Sequence, residues 1–130
     1  MMRRGTPEAD AQRAIVTALR IALPRNAIVH HCANEVTEAG PRGAKRQAIL
    51  VGMGVHPGFA DLLVISEGSV LFLEVKSAKG RLRPEQDAFR EIVIAQGFGW
   101  ALVRSVDDAL AALADNGFTS RVQPARRAAP

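Results

Sequence analysis

Two short apolar runs, Leu62 to Ser66 and Val70 to Lys76, flank Glu67-Gly68-Ser69, and a chain with that pattern is committed to a β-hairpin. Side chains alternate faces along a strand, so Phe72, Glu74 and Lys76 share one face and Leu71, Leu73 and Val75 face a packed layer on the other. A two-residue loop at Glu67-Gly68 sets Ser66 opposite Ser69 and carries Asp61 opposite Glu74. A Gly68-Ser69 loop would pair Asp61 with Lys76 instead. Both registers gather the three ionisable groups on one face, whereas a three-residue loop sets Asp61 directly opposite neither. In the first register the β-carbons of Asp61 and Glu74 stand about 4.5–5.5 Å apart, close enough for the carboxylates to share a cation and repulsive without one.

The plain alternative is that Glu74 and Lys76 form the solvated face of an amphipathic edge strand, the usual fate of Glu-x-Lys. Against it stands the combination with Asp61 at the start of the first strand and Gln86 at the start of the following helix. We therefore read Gly58 to Gln86 as the site.

Gly58-Phe59-Ala60-Asp61, Glu74-Val75-Lys76 and Gly80-Arg81-Leu82-Arg83-Pro84-Glu85-Gln86 together resemble the VRR-NUC domain of the PD-(D/E)XK nuclease superfamily, particularly its small stand-alone viral and bacterial members. The likeness runs from about Pro7 to Leu113 and is most specific between Gly52 and Gln86. One departure is that Ala60 stands where the family usually has proline, which leaves the loop geometry less fixed without touching a ligand. The resemblance implies metal-dependent phosphodiester hydrolysis. Asp61, Glu74 and the Val75 carbonyl would hold Mg2+ or Mn2+, both of which favour oxygen ligands. Lys76 would orient or help deprotonate the attacking water. Gln86 would aim its amide at the metal site or its water; its other reading is a helix cap. Similar family members also carry a glutamate in the first helix that completes the acidic site. Glu8 is in position for that role, or simply interacts with the helix dipole.

The chain of 130 residues carries a formal net charge of +4, with arginine outnumbering lysine fourteen to three. That balance favours phosphate partners, although arginine-rich composition also follows from the base composition of a genome. With 48% apolar residues the chain is expected to fold as one domain around one core. Cys32 is the single cysteine, so neither an intrachain disulfide nor a cysteine-built zinc knuckle is possible, and a reducing cytoplasm fits. No segment approaches the roughly 20 apolar residues of a membrane span.

Along the chain, Thr6 and Pro7 open a helix whose apolar face is Ala11, Ile15, Ala18, Leu19 and Ala22, and Pro24 stops it. Ala27 to Cys32 reads as a strand. His30-His31-Cys32 is not a metal site, because adjacent strand residues point to opposite faces. Asn34, in a segment resembling a histidine-x-x-asparagine pattern of the family, is either a surface turn or a nucleic-acid contact. Thr37 to Arg46 reads as a loop running into a short helix around Ala44 to Val51, and Arg42, Lys45 and Arg46 either neutralise phosphates or are solvated. Gly52, Gly54 and Gly58 precede a strand instead of following one, so they indicate no nucleotide cofactor and instead supply the tight backbone that delivers Asp61. Lys79, Arg81 and Arg83 lie beside the site and form the most credible phosphate-binding patch. Pro84 starts a helix with apolar members Ala88, Phe89, Ile92, Val93 and Ala95, ended by Gly97. Trp100 to Val103 is a strand, and Ser105 caps a helix over Val106 to Ala114. Residues 119–130 read as a basic, disordered tail to a domain spanning 1–118.

The expected architecture is α/β, a restriction-endonuclease-like core with a central mixed sheet flanked by helices. The expected activity is a metal-dependent DNA endonuclease acting on duplex or branched DNA as a homodimer. Two other classes compete with it: a catalytically silent nucleic-acid-binding module of the same fold, and a structural or interaction domain.

Overall fold

In the computed structural model, residues 6–33 and 39–122 are described, and they form four helices around one four-stranded sheet. Helix α1 (Pro7–Ala22) begins where Thr6 accepts a hydrogen bond from the Ala9 N–H and ends before Pro24. Strand β1 (Ile28–His31) follows, then α2 (Gly40–Gly52), the hairpin β2 (Leu62–Ser66) and β3 (Ser69–Val75), α3 (Pro84–Ala95), β4 (Gly99–Val103) and α4 (Val106–Asp115). The sheet order is β1-β2-β3-β4, antiparallel except for the β3–β4 pair, which is parallel across the α3 connection.

The hairpin takes the two-residue register. Ser66 pairs with Ser69 and Leu62 with Leu73. Glu67 and Gly68 both have positive φ, 51° and 81°, which is the type I′ turn whose twist suits a hairpin.

Each sheet face has its own apolar layer. On one, Leu62, Val64, Leu71, Leu73, Val75 and Val103 pack against Ile15 and Leu19 of α1 and Leu110 and Leu113 of α4. The opposite layer is smaller and aromatic: Phe72 meets Phe89 of α3 with ring centroids 5.4 Å apart, and Phe59 closes on Phe89 at 4.7 Å. Such cover on both sides makes β3 a buried strand. That is why charge on it is informative.

Two expectations need correction. Helix α2 starts at Gly40, so residues 40–43, read as loop ahead of a short helix around Ala44 to Val51, are helical; Pro41 sits at a first-turn position and a run of good helix formers follows from Ala44. In α3 only Phe89 and Val93 of the expected apolar set are buried, while Ile92 is 43% exposed, because the sheet offers this helix only a narrow aromatic strip. Past residue 118 the chain is tied to α1, since the Arg121 N–H donates to the Ala22 carbonyl at 2.7 Å and its side chain reaches the Leu23 carbonyl. The rest of the basic tail lies outside the described residues, as does Asn34.

Candidate active site

The hairpin register carries one step beyond its last pair and sets Asp61 across from Glu74. A hydrogen bond fixes that step, with the Val75 N–H donating to Asp61 Oδ2 at 2.8 Å. On the far side of Asp61, its carbonyl accepts from the Cys32 N–H at 2.8 Å. Cys32, Asp61 and Glu74 thus stand in a row across three strands. Desolvation, and secondarily the charge of Asp61, push the Cys32 thiol up from its ordinary pKa.

Burial decides between the solvated-face reading and a built site. Among the described residues, the buried polar side chains are Asp61, Ser66, Glu74, Lys76 and Gln86, so four of five are the residues singled out in sequence. Glu74 is 1% exposed and Lys76 5%. Ion pairs in such positions are weak contributors to stability, so a cluster of this kind points to chemistry.

Within it, Gln86 Nε2 donates to Glu74 Oε1 at 2.9 Å, while Gln86 Oε1 accepts from the Arg83 N–H at 2.9 Å. Gln86 thus caps α3 with one end of its amide and reaches Glu74 with the other. The Lys76 ammonium lies 3.8 Å from the same Glu74 oxygen. Lys76 reaches the site because its N–H is held by the Val103 carbonyl at the end of β4, at 3.1 Å. In an extended strand the N–H and C=O of one residue project toward the same neighbour, so the Val75 carbonyl faces the β2 side with Asp61. Gly58 (φ +76°) brings the chain into this position, and a β-carbon there would overlap the Glu85 carbonyl at the start of α3.

Asp61 opens to solvent through a cleft of about 640 Å³ lined by Glu8, Gln12 and Arg13 of α1 with His31 and Ser77. Glu8 is thereby brought to the cleft of Asp61. Gln12 and Arg13, unmarked in sequence, follow Glu8 at helical spacing and share that cleft. Arg83 lines a second cleft, of about 520 Å³, between α2 and the start of α3, together with Gln86. Lys79 and Arg81 are exposed on the β3–α3 connection. Arg42, Lys45 and Arg46 are not brought to the Asp61 cleft; they line a separate groove with Ile49 and Leu50. No group of three or more histidine, cysteine or acidic side chains able to hold a metal occurs among the described residues. The donors present are two carboxylates and a carbonyl, a hard-oxygen set that fits Mg2+ or Mn2+ and not a thiolate metal.

No family model matches the chain, and no curated protein matches it. Among solved structures it is similar to one described as a VRR_NUC domain protein, with a TM-score of 0.60 and 20% identity over 88% of this chain and 90% of that one. The fold is therefore that of a VRR_NUC domain structure. None of the helices among the described residues is long and apolar enough to cross a membrane.

Proposed function

We propose that the chain is a divalent-metal-dependent DNA endonuclease, one catalytic domain over residues 1–118 with a basic tail. The observation that carries this reading is the buried cluster of Asp61, Glu74, Lys76 and Gln86 at one end of a sheet of the VRR_NUC type. Asp61, Glu74 and the Val75 carbonyl would hold Mg2+ or Mn2+, with Glu8 as an additional acid from across the cleft. When bound, the cation supplies a Lewis acid that lowers the pKa of water and offsets charge on the phosphate.

The side chains prepare that chemistry. Gln86 fixes the rotamer of Glu74 by donating to one oxygen, and the Val75 N–H does the same for Asp61. Lys76, anchored by its backbone to β4, brings an ammonium to the acidic pair, where it orients the attacking water and offsets charge developing on the phosphate. Lys79, Arg81 and Arg83 track the phosphate backbone; Arg42, Lys45 and Arg46 on α2 extend the positive surface, and Asn34 is a further contact. Cutting both strands needs two sites, so the form that makes paired cuts is a symmetric homodimer.

The test is incubation with labelled flap, junction and linear duplex DNA plus Mg2+ or Mn2+. Metal-dependent cleavage of any of them is expected, and preference for the flap or junction identifies branched DNA as the substrate. Binding without cleavage on every substrate and with both metals would favour the silent module. Light scattering that gives a strict monomer, on and off DNA, would restrict the enzyme to nicking.

A further inference from the structure

The turn that leaves β3 is gripped from β4. Arg104, the residue after that strand, donates through Nη1 to two main-chain carbonyls, Ser77 at 2.5 Å and Gly80 at 2.7 Å. The Gly80 N–H closes the same turn onto the Ser77 carbonyl at 3.1 Å. Arg104 is itself fixed at its root, because its N–H donates to Asp108 Oδ2 in the first turn of α4 at 2.9 Å. One nitrogen of a planar guanidinium has two hydrogens at a fixed angle, which suits two carbonyls converging from one turn.

That turn lies on Lys76. A β-carbon added at Gly80 would stand 3.4 Å from both Cβ and Cδ of Lys76 and 3.3 Å from Ser77 Oγ, so the Gly80 backbone covers the aliphatic stem of the lysine. The end of β4 therefore holds Lys76 twice, by the Val103 carbonyl on its N–H and by Arg104 through the turn that shields its side chain. Ser77, held by the same guanidinium, lines the Asp61 cleft, and Lys79 is carried on the turn.

We propose that Arg104 is a positioning residue for Lys76. By clamping the Ser77–Gly80 turn it keeps the ammonium beside Glu74 and out of bulk water, and it sets the direction in which Lys79 is presented. The consequence for catalysis rests on the nuclease reading; the clamp does not.

The experiment uses the fact that Lys45, Lys76 and Lys79 are the three lysines of the chain. A short pulse of a water-soluble acetylating ester on the full-length protein, read by mass spectrometry, gives their relative reactivities, with exposed Lys45 on remote α2 as internal reference. In the wild type Lys76 should react at least about tenfold more slowly than Lys45, as expected of an amine that must await a local opening. Arg104→Gln should remove most of that protection while circular dichroism stays unchanged, and Arg104→Lys should restore part of it. Gly80→Pro, which leaves Arg104 intact and removes the N–H that closes the turn onto the Ser77 carbonyl, should expose Lys76 likewise and covers the case in which Arg104→Gln does not fold. Protection of Lys76 that survives both substitutions overturns the proposal. If the wild type cuts DNA, Arg104→Gln should lower kcat about as far as Lys76→Ala does, with little change in KM; unchanged kcat overturns the positioning role. A wild type that cuts nothing would sink the nuclease reading and leave the labelling result to decide the clamp.

Discussion

Gln86 Nε2 lies 2.9 Å from Glu74 Oε1, and the other end of the same amide accepts the Arg83 N–H that opens α3. One side chain thus completes a helix and orients a buried acid. With its carbonyl oxygen turned to the cap, Gln86 presents its NH2 group to the site and holds Glu74 by that end.

Gln86→Ala should therefore cost more than an ordinary cap. Loss of the cap accounts for about 1 kcal/mol, and a buried acceptor deprived of its donor for about 1 to 3 kcal/mol more. Urea unfolding should show a combined loss of about 2 to 4 kcal/mol. Gln86→Glu keeps the capping acceptor but sets a second carboxylate against Glu74, so its stability should recover as Mn2+ is added. A destabilisation by Gln86→Ala below about 0.5 kcal/mol would mean that water replaces both contacts.

The Cys32 thiol offers a readout of Asp61 that requires no substrate. Desolvation raises its pKa first and the Asp61 charge second, and both disfavour the thiolate that alkylating reagents attack. Cys32 should accordingly react with iodoacetamide more slowly than a free thiol throughout the range from pH 7 to 9. Asp61→Asn keeps an acceptor for the Val75 N–H and removes the charge, so alkylation at fixed pH should accelerate by about threefold for each half unit that the pKa falls. Equal rates in the two proteins would show that the carboxylate does not act on the thiol.

Much of this site was legible because a hairpin leaves few choices. Loops at Glu67-Gly68 and at Gly68-Ser69 both gather Asp61, Glu74 and Lys76 on one face, and the type I′ turn adopted at Glu67-Gly68 selects the pairing of Asp61 with Glu74. The start of α2 was not legible, because Gly40 and Gly43 read as loop signals. Gly43 is instead buried and lines the cleft facing Phe59 and Gln86, a tertiary demand that outweighs helix propensity. Exposure of Ile92 was hidden for a similar reason, since periodicity reports a helix face but not the width of what covers it. For Arg104 the sequence supported a structural role, as part of a Val103-Arg104-Ser105 segment resembling the end of the family pattern, but not which turn it holds, because its partners are main-chain carbonyls 24 and 27 residues away.

Gly58 marks where the delivery of Asp61 and the placement of Gln86 become one constraint. Its φ of +76° disfavours any other residue, and a β-carbon would overlap the carbonyl of Glu85, next to Gln86. Gly58→Ala should be among the most damaging single-methyl changes in the chain, about 3 kcal/mol or more by urea unfolding. Gly68→Ala, also at positive φ but with nothing within 4 Å of the added carbon, should cost only about 1 kcal/mol. Equal losses at the two positions would mean that backbone conformation alone, and not the close approach to α3, accounts for the glycine.

Salt dependence separates the basic patches. Each phosphate contact contributes about 0.9 to the slope of log affinity against log salt, so replacing Lys79, Arg81 and Arg83 together by alanine should flatten that slope by about 2 to 3. An unchanged slope would move the binding surface to Arg42, Lys45 and Arg46 on α2.

Glu74 and Lys76 sit two residues apart on β3 with 3.8 Å between Oε1 and Nζ, yet their proposed roles predict opposite behaviour toward metal. Glu74→Ala removes a ligand, so Mn2+ affinity and cleavage should fall together, and Asp61→Asn should behave in the same way. Lys76→Ala removes a positive charge from beside the acidic pair, so Mn2+ should bind as well as before or more tightly while cleavage falls by about 100-fold or more. Calorimetry with Mn2+ run beside a cleavage assay distinguishes the two. Normal Mn2+ binding by Glu74→Ala, or near wild-type cutting by Lys76→Ala, would show that these side chains are buried for a reason other than phosphodiester hydrolysis.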